Sequence, residues 1–279
     1  MKIYLQTFLR GIGQVMFQNN AWTGLLFLAG IFYNSWLLGL GALLGGALSN
    51  IFAVLFRYRQ KEIHAGLYGF NGALLGIAVW FYCVPNLAST LAIIFGAALT
   101  TWLMHFFKQK IPSLTAPFVL SAWLTIFALR FFNLATFNLL ATTPQNHFDL
   151  FSSLSLGLGQ VMFQANFVTG IIFLIAILLS SRRAAFYASY GALVGALLGF
   201  LFSLPLESLN LGLFGYNAVL CAIALGEKKW SAFGWANLAI ILSVALIFVF
   251  QRLQMVALTA PFVLATWAIL FSKKTLSAH

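Results

Sequence analysis

The hexapeptide Gly13-Gln14-Val15-Met16-Phe17-Gln18 returns unchanged at Gly159-Gln160-Val161-Met162-Phe163-Gln164. Gly66-Leu67-Tyr68-Gly69-Phe70-Asn71 returns at the same offset as Gly212-Leu213-Phe214-Gly215-Tyr216-Asn217, and Leu114-Thr115-Ala116-Pro117-Phe118-Val119-Leu120 returns as Leu258 to Leu264. Three motifs in one order at nearly one spacing mark a half-sized unit written twice. The unit is far longer than the roughly 20 to 50 residues of a solenoid repeat, so it is a duplicated fold. Such a fold is expected to hold its functional site at a pseudo-twofold axis between the halves.

Composition says what solvent the unit folds in. The 279 residues are 62% hydrophobic and 7% charged, with a mean hydropathy of +0.97, too much apolar surface for a globule in water. Segments such as Asn86 to Phe107 carry no charge over about the 20 residues a helix needs to cross a bilayer. The short alternating strands of a membrane barrel are missing. The expected class is therefore all-α integral membrane, with the lipid bilayer as its surroundings. No removable signal peptide is read at the start, where Arg10 follows no long apolar region.

A formal charge of +11 suggests nucleic acid until the basic residues are placed, and they lie at the ends of apolar spans. Each half reads as a short amphipathic lead-in followed by five spans, with breaks near Asn34, Arg57 to Lys61, Val84-Pro85 and Lys108 to Lys110. In the second half the breaks fall near Arg182-Arg183, Pro205 to Ser208, Glu227 to Lys229 and Arg252. Five crossings per half turn the second copy upside down. Threaded so, every Lys and Arg except Arg130 and Arg252 falls on one face, and the preference of Lys and Arg for cytoplasmic loops puts that face and both termini in the cytoplasm. The expected domains are residues 1–140, the first repeat with a re-entrant helix plus five spans, and 141–279, the second, inverted repeat.

Pro112, Pro117 and Pro261 are expected to interrupt their spans, because proline lacks the amide hydrogen and clashes with the preceding turn. The lead-ins, about Leu9 to Gln18 and Leu154 to Gln164, are too short to cross and fit re-entrant helices. Paired discontinuous segments point to a permeation site. The glycines Gly39, Gly41, Gly45 and Gly46, with Gly191, Gly195 and Gly199, read as close helix contacts, and Cys83 and Cys221 as unpaired packing residues.

What polar chemistry remains inside the apolar spans is uncharged: amides at Gln14, Gln160, Asn20, Asn71, Asn166 and Asn217, and hydroxyls at Thr115 and Thr259. The four acids, Glu62, Asp149, Glu207 and Glu227, sit at span ends or in loops. Coupled pumping therefore has no intramembrane carboxylate, and a cation would have to shed water without a countercharge. A neutral solute is expected. Phe17 and Phe163, each three residues after a glutamine in the repeated motif, are expected to flatten the passage into a slot for a small planar molecule rich in amide hydrogens.

These residues resemble the urea transporter family over nearly the whole chain. The resemblance rests on Gly13 to Phe17, on Asn19-Asn20 with Thr23-Gly24, on Gly66 to Gly76, on Leu114 to Phe118 and on the second-half copies. It implies channel-like facilitated diffusion of urea in a bacterial inner membrane, through an inverted two-repeat fold assembled as a homotrimer with one pore per subunit. The placement of the basic residues and of the cysteines gives no expectation of a nucleic acid partner or a metal, and no cofactor is expected. Carried over by position, Gln14 and Gln160 stand at oxygen ladders, with Phe17 and Phe163 as slot walls and Val161 beside the second. Phe70 with Leu74, answered by Tyr216 with Leu220, forms a further wall pair, and Thr115 and Thr259 narrow the central site. Two departures stand out: Ala21 follows Asn19-Asn20 where the family commonly has proline, and the second copy reads Ala165-Asn166-Phe167.

The rival readings are an ammonium or ammonia channel and a water or short-chain amide pore. The first would carry imidazoles at its centre, whereas His64, His105, His147 and His279 lie at span ends, in the connection and at the terminus. An enzyme fails on inventory, since four peripheral acids and no Cys/His/Asp cluster provide no acid-base pair.

Overall fold

A computed structural model describes residues 2–138, 145–226 and 230–276. The chain forms two compact units, Met1–Ala141 and Thr142–His279, and the described residues of each build seven helices in the same order. In the first unit these are α1 (Lys2–Gln14), α2 (Ala21–Asn34), α3 (Trp36–Leu55), α4 (Gln60–His64), α5 (Gly69–Tyr82), α6 (Leu87–Lys108) and α7 (Ala116–Phe131). In the second they are α8 (Leu150–Gly159), α9 (Phe167–Ser180), α10 (Arg182–Leu201), α11 (Leu206–Asn210), α12 (Tyr216–Leu225), α13 (Trp230–Arg252) and α14 (Ala260–Leu276). A single 3-10 turn, Gln160–Met162, extends α8.

The helices α3, α6 and α10 and residues Ala232–Arg252 of α13 are long and apolar enough to cross a membrane, and Leu150–Met162 with α9 forms a fifth candidate, a pair bent by 74°. The apolar helices α2, α5, α7 and α12 run 14, 14, 16 and 10 residues, shorter than the roughly 20 of a straight crossing. Polar residues make the breaks. Ser35 ends α2 and caps α3, its hydroxyl accepting the Leu38 N–H at 3.3 Å, and Ser181 repeats this before α10 with Ala184 at 3.2 Å. The break expected at Arg182-Arg183 thus lies at Ser181, and both arginines open the next helix. The break expected at Glu227 to Lys229 lies outside the described residues.

Contacts between helices follow the small residues. A Cβ on Gly45 would lie 2.0 Å from the Gly72 carbonyl oxygen, and one on Gly76 would lie 2.0 Å from that of Gly41. Helices α3 and α5 therefore touch backbone to backbone. In the second unit Gly191 and Gly195 press on the carbonyls of Ala218 and Phe214, at 2.6 and 2.5 Å from an added Cβ. Cys83 and Cys221 are buried and unbridged.

The expectation that Pro117 and Pro261 interrupt their spans is corrected. Pro117 stands in the first turn of α7 and Pro261 is the second residue of α14. There the missing N–H would have had no intrahelical partner and the fixed φ suits the helix, so proline starts these helices and nothing kinks. Pro112 lies in the loop before α7.

Candidate permeation site

The repeated hexapeptide builds a tight stop at the end of the lead-in helix. The Gln18 N–H donates to the Gly13 carbonyl at 3.0 Å and the Phe17 N–H to that of Gln14 at 3.0 Å; Gln164 with Gly159 and Phe163 with Gln160 repeat this at 3.0 and 3.1 Å. This is the paired closure that normally places glycine in the left-handed conformation. Here the residue is phenylalanine, with φ of 62° at both Phe17 and Phe163, at a cost of about 1–2 kcal/mol each. Side chains hold the backbone in place: Gln18 Nε2 donates to the Met16 carbonyl at 2.8 Å and Gln164 Nε2 to that of Met162 at 2.6 Å. Gly13 is required because a Cβ there would sit 2.4 Å from the Gln18 carbonyl oxygen. Met16, Met162, Val15 and Val161 are buried, while Phe17 is 38% exposed and Phe163 half-buried. Both rings are thus held by their backbone in a disfavoured conformation, and Phe17 stays partly exposed.

The third motif builds a helix start. Leu114 and Leu258, both at φ 48°, turn the chain into α7 and α14. Thr115 and Thr259 follow, each 2% exposed. The second motif supplies the cap from a distance. Asn71, fully buried on α5, accepts the Phe118 N–H at 3.2 Å, and Asn217 on α12 accepts that of Phe262 at 3.0 Å. Each satisfies one of the donors a helix start leaves without a partner.

Within the first unit these ties bring the candidate residues together. Gln14 Nε2 donates to the Ala65 carbonyl at 3.2 Å, joining the end of α1 to the turn before α5. Gly66, at φ 77°, permits that approach, since a Cβ on it would lie 2.3 Å from the Gly11 nitrogen. Phe70 and the buried Leu74 lie on α5, which Asn71 joins to α7 beside Thr115. In the second unit the 3-10 turn with Gln160 and Val161 packs against α12, which carries Tyr216 and the buried Leu220. The Tyr216 hydroxyl donates to the Leu258 carbonyl at 2.6 Å, where Asn217 Nδ2 also donates at 3.3 Å. Phe70 has no hydroxyl, and Asn71 Nδ2 turns to Met104 Sδ at 3.6 Å. The two units are thus not chemically equal.

All four of the asparagines expected as intramembrane polar groups have structural duties. Besides Asn71 and Asn217, Asn20 caps α2 through the Trp22 N–H at 2.8 Å and Asn166 caps α9 through the Thr169 N–H at 3.0 Å. Asparagine directly before an apolar helix is a capping signature, so the roles of Asn20 and Asn166 could have been read from sequence. Those of Asn71 and Asn217, which act across 47 and 45 residues, could not.

Charge lies elsewhere. Glu62 on α4 pairs with Lys108 and accepts the Tyr68 hydroxyl at 2.9 Å. Burial alone would raise its carboxyl, but hydrogen bonds from Lys108 and Tyr68 and the nearby positive charges hold it below the usual range. Asp149 caps α8, accepting the Ser152 hydroxyl at 2.6 Å and the Ser152 N–H at 3.1 Å, which lower its carboxyl. Glu207 opens α11, and Glu227 lies outside the described residues. His105, near the end of α6, is half-buried and stacked on Tyr58 at 3.9 Å between ring centres. Among the described residues no group of three His, Cys, Asp or Glu could hold a metal ion.

The family model for urea transporters matches residues 5–274. Urea transporter 1 of Rattus norvegicus is 31% identical over 264 residues, covering 87% of this chain and 68% of the relative, and that of Mus musculus matches to the same extent. Urea transporter 1 of Ovis aries is 32% identical over 260 residues, covering 85% and 66%. A family of transporters and not of enzymes agrees with the apolar helices. On these grounds the chain belongs to the urea transporter family.

Proposed function

We propose that the chain lets urea and small amide analogues diffuse passively down their gradient across the cytoplasmic membrane. The family match from residue 5 to residue 274 carries this reading, because it runs through every motif that bears a candidate residue. Phe17, Phe70, Phe163 and Tyr216, with Leu74, Val161 and Leu220, are the slot walls. Gln14, Gln160, Thr115 and Thr259 supply hydrogen-bonding oxygens. Urea is flat, neutral and donates four amide hydrogens, so it trades water for fixed acceptors between rings. Each such bond nets about 0.5–1.5 kcal/mol, enough to offset lost hydration and little enough to permit release. Ions are refused because a charge entering this site leaves water without a compensating countercharge.

The functional assembly is a homotrimer with one conducting path per chain and both termini in the cytoplasm, the side that the distribution of Lys and Arg favours. An ammonium channel is not favoured, since His64, His105 and His147 stand outside the residues named here. Stopped-flow measurements on proteoliposomes test the reading. Urea should re-equilibrate well ahead of glycerol and ammonium; equal rates for all three would reject a selective slot.

A further inference from the structure

The first unit carries a groove of about 460 Å³ between α1, α3 and α4 that the urea reading does not use, with Tyr4, Ala47, Val54 and Ile63 among its apolar walls. Thr7 and Asn50 also line it, and there Thr7 Oγ1 and Asn50 Oδ1 are buried without a hydrogen-bond partner. Thr7 is only 3% exposed. Buried polar atoms are almost always paired, so two orphans in one groove point to a missing ligand.

The second unit closes the equivalent place with its own side chains. Ala47, Asn50 and Val54 correspond to Leu193, Ala196 and Phe200, and the Phe200 ring stacks on Phe148 with centroids 4.8 Å apart. In the register of Phe148 the first unit has Lys2. The first copy therefore keeps small and polar residues where the second fills the space with leucine and phenylalanine.

One end of the groove is basic. Leu55 lines it, and two residues of chain carry Arg57 no more than about 7 Å further, with Arg59 and Lys61 following. All three are exposed, and the neighbouring carboxylate, Glu62, is engaged by Lys108. An occupant needs a hydrocarbon body, an anionic head and an acceptor for the Thr7 hydroxyl.

We propose that this groove is a binding site for one anionic phospholipid. An acyl chain lies along α3, the phosphate meets Arg57, Arg59 and Lys61, and an ester carbonyl accepts the Thr7 hydroxyl. Asn50 Oδ1 is an acceptor and takes a hydrogen bond from a water carried in with the lipid ester.

The test counts lipid on purified full-length protein by native mass spectrometry, after delipidation and titration with phosphatidylglycerol or phosphatidylcholine. One phosphatidylglycerol per chain should bind about tenfold more tightly than phosphatidylcholine, given the attraction of basic clusters for anionic headgroups. The combined variant Ala47→Leu, Asn50→Ala, Val54→Phe, which installs the residues of the second unit, should lose that molecule. Arg57→Gln with Arg59→Gln should retain a lipid but bind both headgroups alike. Equal affinity for the two lipids in the unaltered protein would overturn the proposal, as would undiminished binding in the combined variant. So would disulfide cross-linking of Ile51→Cys between copies in native membranes, which would show protein covering the groove. Urea flux is not read, so failure here leaves the urea reading standing.

Discussion

The Asn71 Oδ1 atom lies 3.2 Å from the backbone nitrogen of Phe118, so a side chain on one helix supplies the cap of another 47 residues later. The Asn217 and Phe262 pair repeats the contact at 3.0 Å. Because both asparagines are fully buried, no water replaces them. Asn71→Ala or Asn217→Ala should destabilise the protein by about 1–3 kcal/mol, the cost of a buried donor left without a partner. Denaturant melts in mild detergent would check this; an unchanged midpoint would show that α7 and α14 do not depend on the distant cap.

Phe17 and Phe163 stand where the backbone asks for glycine. Phe17→Gly relieves about 1–2 kcal/mol of left-handed strain, partly offset by the greater freedom of glycine in the unfolded chain. The variant should melt no lower than the parent and yet lose urea selectivity over glycerol. Lower stability with intact selectivity would mean that the ring serves packing alone.

Thr115→Val and Thr259→Val each remove one hydroxyl at nearly constant volume. At about 0.5–1.5 kcal/mol for one hydrogen bond, urea flux should fall roughly two- to tenfold in stopped-flow assays. Flux equal to the parent in both variants would remove the threonines from the path.

The Glu62 carboxyl is held below its ordinary range by Lys108 and Tyr68 despite the opposing effect of burial. A depressed folded value contributes stability above the unfolded value of about 4.3, and the contribution is lost as pH falls through the folded value. Glu62→Gln should therefore be less stable than the parent at pH 6 to 7, with the two melting curves converging below about pH 4. A constant gap across that range would assign the loss to packing.

Much of this architecture was legible in the chain. The duplicated motifs fall on equivalent elements of the two units, and the helix ends at Asn34, Lys108 and Arg252 lie where polar residues interrupt apolar runs. The reading failed where a residue acts across space. Pro117 looked like a break because sequence places it inside an apolar run, but Leu114 turns the chain just before it and so makes it a beginning. Asn71 looked like a group waiting for a solute because its partner, Phe118, is remote in sequence. Gln18 was legible only as part of the repeat, although its side chain ties down the strained turn at Phe17 through the Met16 carbonyl. The short helices α4 and α11, five residues each, carry too little periodicity to be seen in advance.

The stop at the end of α1 satisfies its own donors and acceptors before the ring of Phe17 is considered. The mount and the tool are thus separable. An ancestor could exchange the aromatic for a larger, smaller or more polar group, while the frame that positions it stayed as it was. Two such mounts in one chain can change independently, and the hydroxyl that distinguishes Tyr216 from Phe70 shows that the two copies have already diverged.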